Sequence, residues 1–384
     1  MILSTIVIAV ILIYFILIGS LTYGFDKVES FKLQDLKPFT KFSIIIPFRN
    51  EADNLPELLK SISNLNYPKS HFEIILVNDA SEDQSVAVIE KIMATKSFKK
   101  DFSRSDNIQI THNNRITNSP KKDAITSAVS LSKFNWIVTT DADCKLPKYW
   151  LDAIDECIQV KQPNCIVAPV KYKGENSFFN RFQILDFLSL QGATIGGFGI
   201  KKPFMCNGAN LAYKKSAFIA LNGFDGNTDI ASGDDLFLLE KLIKQDAKSI
   251  QYLKSNKAIV NTKPAENLKA LIEQRLRWAS KTSSYNNRFA KLVGITVLLA
   301  NFVCLAFIPF AIFGLVSFKT IISLLVIKLG IDFLLLFKAS RFFKQETLLL
   351  SYLFSSFIYP IFSIYIAVLS FYKPFNWKGR TFKK

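Results

Sequence analysis

The sequence predicts an α/β domain with a mostly parallel sheet, flanked by membrane-spanning helices. Two observations carry this reading. From Lys41 onward, short apolar runs alternate with amphipathic stretches at the spacing of strand–helix units. The apolar residues concentrate at the two ends, while the middle, from about Phe25 to Phe289, has globular patterning.

The first element lies within residues 1–24, where Ile2 to Gly19 is an apolar run long enough to span a bilayer. A signal peptide would place basic residues before the run and a small-residue cleavage site after it, and neither is present. Lys27, Lys32, Lys37 and Lys41 follow instead, which puts the N-terminus outside and the next domain in the cytoplasm.

That domain is expected over residues 40–285. Phe42–Ile46, Phe72–Val77, Ile108–Thr111, Trp136–Thr140 and Cys165–Ala168 read as buried strands. Helices are expected near Asp53–Asn64, Gln84–Ala94, Lys121–Ser132 and Lys148–Gln159. Beyond Asn176 come a helical stretch to Gln191, a turn at Gly196-Gly197, and helices near Asp234–Lys244 and Glu266–Lys281. Residues 291–372 hold three apolar segments, about Leu292–Phe318, Ile321–Phe337 and Leu348–Phe371; Pro309 and Pro360 inside them are tolerable in membrane helices.

The basic loop from Lys338 to Lys344 belongs in the cytoplasm. The tail, residues 373–384, carries Lys373, Lys378, Arg380, Lys383 and Lys384. Three spans would place it outside, against the charge rule, so either the rule is broken there or one segment is re-entrant or interfacial.

Net charge is +17, with the basic residues scattered or beside apolar segments. This fits positive-inside topology and attraction to anionic lipid or phosphate, and no basic stripe interleaved with aromatics marks a nucleic-acid binder. The five cysteines, Cys144, Cys157, Cys165, Cys206 and Cys304, show neither a C-x-x-C pair nor zinc-like spacing, and read as reduced and packed. With only His71 and His112, a His-rich metal site is excluded, and a general base is expected to be a carboxylate.

Four motifs carry chemistry. Val77-Asn78-Asp79-Ala80-Ser81 ends a strand, where ligands of open α/β sheets bind, and Asp79 can accept from a base N–H or a ribose hydroxyl; a plain turn is the blander reading. Asp141-Ala142-Asp143 ends the Trp136–Thr140 strand; if the chain turns there, the two carboxylates can converge on Mg²⁺ or Mn²⁺. Gly233-Asp234-Asp235 opens a helix, with one Asp expected as its cap and the other as a base. Gln274, Arg277 and Trp278 share a helix face, fit either for a pyrophosphate and a ring or for an interfacial helix.

These motifs resemble family 2 of the inverting glycosyltransferases, which have the GT-A fold. The strand followed by P-x-x-N-E appears as Pro47, Asn50 and Glu51; K-x-x-A appears as Lys121 to Ala124; and the D-x-D, the D-D pair and Q-x-x-R-W follow in family order over about 240 residues. The resemblance implies a UDP- or similar nucleotide-linked sugar donor, held by Pro47, Asn50, Glu51, Asp79, Lys121 and Asp141. It implies a divalent ion on Asp143 and Asp141, and Asp235 beside Asp234 as catalytic base. Asn207, Gly208, Asn210, Gln274, Arg277 and Trp278 fall on the acceptor or leaving-group side.

Two positions depart from the pattern. Thr126 stands where Asn is frequent, and Gly-Asp-Asp replaces Thr-Glu-Asp, which weakens the likeness to cellulose- or chitin-type synthases. Q-x-x-R-W occurs both in processive synthases and in ceramide-glucosyltransferase-like enzymes. The expectation is therefore a multi-pass cell-membrane enzyme with its catalytic domain in the cytoplasm and a lipid or lipid-linked acceptor. A processive polysaccharide synthase, a polyprenyl-phosphate sugar synthase and an inactive nucleotide-sugar-binding membrane protein are the alternatives.

Overall fold

The computed structural model describes residues 2–102, 107–281 and 284–382. Along the chain come α1 (Ile2–Lys27), β1 (Phe42–Phe48), α2 (Leu55–Ser63), β2 (Phe72–Asn78), α3 (Ser85–Met93), α4 (Lys96–Asp101) and β3 (Ile108–His112). Next are α5 (Pro120–Leu131), β4 (Trp136–Thr139), α6 (Trp150–Lys161), β5 (Cys165–Val167), β6 (Val170–Tyr172), α7 (Phe178–Gly199), β7 (Leu211–Lys214) and α8 (Lys215–Ala220). The remainder is α9 (Asp234–Asp246), β8 (Ile250–Tyr252), β9 (Val260–Thr262), α10 (Leu268–Ser280), α11 (Arg288–Ile312), α12 (Phe318–Phe343), α13 (Tyr352–Tyr372), β10 (Phe375–Trp377) and β11 (Arg380–Phe382). Two compact units divide these elements, one of residues 29–173 and 205–263, the other of 1–28, 174–204 and 264–384.

The first unit is the α/β domain. Its seven-stranded sheet has the order β3-β2-β1-β4-β7-β5-β8. β1 and β2 are continuous apolar runs because both faces of a central strand are covered, and β2 is buried at every residue. Pro47 lacks an N–H, yet sits inside β1 without loss: the β4 pairing stops at Ile45. The sheet is mostly parallel, as expected, and β7 runs antiparallel to both β4 and β5. Its first residue, Leu211, therefore lies beside Thr139 and Val167, the carboxyl ends of its neighbours.

The extended segment ahead of β1 is pinned to α6. Buried Asp155 accepts from the backbone N–H groups of Phe39 and Thr40, both at 3.0 Å. Buried Glu156 likewise takes those of Gln34 and Leu36. These hydrogen bonds offset the cost of removing two carboxylates from water.

Among the described residues, the second unit holds four helices long and apolar enough to cross a bilayer, spanning Ile2–Lys27, Arg288–Ile312, Phe318–Phe343 and Glu346–Tyr372. Gly196 and Gly197, expected as a turn, lie inside α7. The reason is packing rather than chain reversal. A Cβ on Gly196 would meet the Leu21 carbonyl oxygen at 2.2 Å, and one on Gly24 would meet that of Gly196 at 2.2 Å. Small residues let α1 and α7 approach backbone to backbone. Deep among these helices, Lys328 pairs with Asp332 at 2.8 Å, and the Tyr14 hydroxyl donates to the same carboxylate at 2.5 Å. Of the tail, Lys383 and Lys384 lie outside the described residues; Lys373, Lys378 and Arg380 belong to or flank the β10–β11 hairpin.

Candidate active site

The carboxyl ends of β1, β2, β3 and β4 share one edge of the sheet, and the start of β7 joins them there. Asp79 follows β2 directly, its N–H bonded to the Phe48 carbonyl at 2.9 Å. Its carboxylate accepts from Asn113 Nδ2 at 2.8 Å and from Arg115 Nε at 2.6 Å. Arg49 Nη1 and Arg115 Nη2 both donate to the Asp79 carbonyl. The Arg115 loop is shaped by Asp123 on α5, which takes the N–H groups of Ile116 and Thr117.

Asn50 and Glu51 knit two loops together. The Glu82 N–H donates to Asn50 Oδ1 at 2.8 Å, and the Glu51 N–H to Ser85 Oγ at 2.8 Å. Asn50 itself adopts φ 52, a left-handed conformation that Asn tolerates better than most residues.

Pro120 opens α5 at a position where its missing N–H costs nothing, and Lys121 follows. The Lys121 ammonium lies 2.8 Å from Asp141 and 3.3 Å from Asp234. Burial opposes its charge, but the Asp141, Asp234 and Asp235 carboxylates outweigh that and hold the ammonium above the ordinary lysine range. After β4 the chain does turn: the Cys144 N–H closes on the Asp141 carbonyl at 3.1 Å. Asp143, in that turn, accepts from Thr262 Oγ1 at 3.2 Å. Burial, then the nearby Asp143 and Asp141 carboxylates, push the Cys144 thiol well up.

Asp234 and Asp235 are the first two residues of α9, and Gly233 precedes them at φ 82. The expected side-chain cap is not formed; Gly233 is the N-cap residue. Asp235 instead accepts from the Gly208 N–H at 3.0 Å and the Leu236 N–H at 2.8 Å. Gly208 is held in turn by Thr139 Oγ1, which donates to its carbonyl at 2.8 Å. Asn207 caps this short turn by accepting from the Ala209 N–H.

Asn210 is fully buried, its amide bonded to Trp150 Nε1, the Pro169 carbonyl and the Ala258 carbonyl. All three partners are internal, so Asn210 fixes the turn ahead of β7 from within the core.

Gln274, Arg277 and Trp278 lie on α10 in the other unit. Gln274 Oε1 accepts from Arg275 Nη1 at 2.5 Å, and the Arg275 guanidinium stands 4.3 Å over the Trp278 ring. Arg275 is anchored by Asp186 on α7 at 2.7 Å. Arg277 faces the Trp377 ring, 5.3 Å from its centre.

Asn113 and Arg115 have no motif to announce them; Arg49 and Arg275 lie inside the Pro47–Glu51 and Gln274–Trp278 stretches. Among the described residues no group of three or more His, Cys, Asp or Glu side chains is arranged as a metal site. Asp141 and Asp143 nevertheless fit a hard divalent ion, since both are oxygen donors presented by one turn, and such ions keep positions for phosphate and water.

A mixed α/β sheet with acidic groups at its carboxyl edge defines a GT-A-like transferase domain. Residues 136–372 match Glycosyl transferase family group 2, and residues 43–221 match Glycosyl transferase family 2. The chain belongs to this family.

It is 27% identical over 256 residues to the "Probable glycosyltransferase YdaM" of Bacillus subtilis (strain 168), covering 64% of this chain and 56% of that one. It is 22% identical over 282 residues to the poly-beta-1,6-N-acetyl-D-glucosamine synthase of Staphylococcus epidermidis, covering 70% of this chain and 61% of that one. It thus spans less than two thirds of these relatives. The mannosyltransferase PcManGT from Pyrobaculum calidifontis, solved with GDP-Man and Mn²⁺, shares the fold at a TM-score of 0.58 and 17% identity, covering 92% of this chain and 98% of that one.

Proposed function

We propose that this glycosyltransferase moves a sugar from a UDP-type nucleotide donor to a lipid or lipid-linked acceptor, with inversion, at the cytoplasmic face of the cell membrane. The observation that carries the reading is Lys121, which spans Asp141 and Asp234, beside an Asp235 held by the Gly208 amide. A cation between carboxylates from two segments supports reading them as one acidic cluster.

In this reading Asp79 accepts from the nucleoside, with Pro47, Asn50 and Glu51 shaping its loop and Lys121 near the phosphates. Asp143 and Asp141 would hold Mg²⁺ or Mn²⁺, which would supply positive charge to neutralise the diphosphate as leaving group. Asp235 takes the acceptor proton as the acceptor oxygen attacks the anomeric carbon from the opposite face. Asn207 and Gly208, backed by Asn210, line the acceptor side. Gln274, Arg277 and Trp278 serve the leaving group or guide the acceptor. Residues 1–24 anchor the chain, 40–285 form the transferase domain, 291–372 the membrane or interfacial helices and 373–384 a basic tail.

The second reading, a processive polysaccharide synthase, is favoured by the match to the poly-beta-1,6-N-acetyl-D-glucosamine synthase over 70% of this chain. A panel of radiolabelled nucleotide-sugars on membranes, followed by solvent extraction, separates the two. Label in the organic phase supports a lipid product; label in insoluble or aqueous polymer supports the synthase. No incorporation from any donor overturns both.

A further inference from the structure

The start of α5 holds several loops of the α/β domain at once. Asp123 takes the N–H groups of Ile116 and Thr117, and Lys121 reaches Asp141 and Asp234. Between them in sequence stands Lys122, to which the K-x-x-A pattern gives no part. Neighbouring residues of a helix point about 100° apart, so Lys122 faces another way from Lys121. Its side chain is only 2% exposed. The ammonium donates to the carbonyls of Asn227 at 2.6 Å and Ile230 at 2.8 Å, and lies 4.7 Å from the centre of the Phe237 ring.

Taking an ammonium out of water is costly unless its donors are met. A methionine would fill similar space without that cost, so the charge is placed for what it grips. It grips the entry to α9. Residues 221–233 are turns and bends. Gly226 and Gly233 have φ 79 and 82, a region glycine visits freely, so local preference does little to fix this path. The Ile230 N–H closes on the Asn227 carbonyl at 3.3 Å, and Lys122 fastens both carbonyls of that turn. Asp234 and Asp235 open α9 just beyond it, and Phe237, against the ammonium, belongs to the same first turn.

We propose that Lys122 is a positioning residue for the Asp234–Asp235 pair. Its buried ammonium ties the backbone entering α9 to α5, and so sets where the Asp235 carboxylate stands. The inference rests on the reading of Asp235 as base. Lys121 and Lys122 then divide the work, one meeting the carboxylates and the other the backbone that carries them.

The test compares Lys122→Met, Lys122→Arg, Asp235→Asn and the Lys122→Met/Asp235→Asn pair with the unsubstituted full-length chain. Hydrogen exchange and UDP binding with Mn²⁺ are measured in lipid nanodiscs. Turnover is measured on membranes with radiolabelled UDP-glucose, UDP-N-acetylglucosamine and GDP-mannose. Loss of two charge-assisted hydrogen bonds in Lys122→Met should speed exchange in the peptide around Ile230 by about tenfold or more. Exchange in the peptide holding Gly208, whose N–H meets Asp235, should rise with it. Turnover should fall by about tenfold, while UDP affinity stays within about twofold, because a base acts only in the transition state. Lys122→Arg, which can still donate to both carbonyls, should restore turnover to within about threefold. In the Asp235→Asn background the lysine change should cost nothing further, because its effect runs through Asp235.

Equal losses of turnover with and without Asp235 would overturn the proposal, as would unchanged exchange or unchanged turnover in Lys122→Met. If Lys122→Met does not fold, Lys122→Gln takes its place under the same criteria. Turnover of none of the three donors by the unsubstituted chain, or a silent Asp235→Asn, removes the base reading and this proposal with it. A working Asp235 beside a silent Lys122→Met removes this proposal alone.

Discussion

The backbone N–H of Gly208 donates to Oδ2 of Asp235 at 3.0 Å, so a turn before β7 sets the orientation of the proposed base at the start of α9. The approach leaves no room for a side chain. A Cβ on Gly208 would stand 3.0 Å from Asp234 Oδ2 and 3.5 Å from both Asp235 Cβ and Lys121 Nζ. Gly208→Ala must therefore shift the Asp234 carboxylate by a few tenths of an ångström and disturb its pairing with Lys121. Turnover is expected to fall by about tenfold or more, since small misplacements are costly in catalysis. Thermal unfolding should move little, because the displaced atoms end flexible side chains. Unchanged turnover would show that these carboxylates are not the working groups.

Asp235→Asn separates the acceptor classes. A hydroxyl acceptor must lose its proton during attack, and removing a positioned base costs about 10²- to 10⁴-fold. A phosphate acceptor arrives ionised and needs no base. The Gly208 and Leu236 amides bond different oxygens of Asp235, so asparagine keeps an acceptor for only one of them. Large loss of turnover with intact UDP binding is the expected outcome. Retained turnover would point to a polyprenyl-phosphate acceptor.

What the sequence made legible follows from how each signal is written. β1, β2, β4 and β5 were readable because a strand buried on both faces is largely an apolar run, and Ile44 to Phe48 is one. β7 was not: Leu211–Lys214 is four residues long, follows a polar turn and passes straight into α8. Its antiparallel direction is a property of the sheet, not of any local pattern. The site residues could be named because strand-end carboxylates stand out, whereas Asn113 and Arg115 follow β3 without a motif. Their contact with Asp79 arises only when β2 and β3 align. Gly196 misled because a glycine pair in sequence looks the same whether it bends a chain or admits a neighbouring helix.

The helix crossing at that glycine gives a stability prediction. Gly196→Leu would force α1 and α7 apart, since even its Cβ would lie 2.2 Å from the Leu21 carbonyl oxygen and 2.8 Å from the Leu21 carbonyl carbon. Backbone atoms cannot yield as a side chain can. The variant is expected to lose the monodisperse peak in detergent and to unfold at least about 5 °C lower, a shift of about 1–2 kcal/mol or more. Gly294, where a Cβ meets nothing within 4 Å, is the matched control, and Gly294→Leu should leave both measurements unchanged.

The loop that carries Asp79 also makes stability depend on pH. Asp83 accepts from the Ser85 N–H and the Ala52 N–H, each at 3.0 Å, and from Ser85 Oγ, joining the β1–α2 turn to the start of α3. Partial burial works to raise its pKa, but the Ser85 hydroxyl and the Ala52 and Ser85 amides outweigh it, and the carboxyl sits below the usual range. A depressed folded value means stability that is present above the unfolded value, about pH 4, and is lost as pH falls through the folded one. Because Asp83 is exposed, Asp83→Ala should cost only about 0.5–1 kcal/mol at pH 7. Denaturant midpoints of the two proteins should differ at pH 7 and converge as pH falls through the depressed folded value, and a gap that stays constant with pH would show that the carboxylate charge contributes nothing.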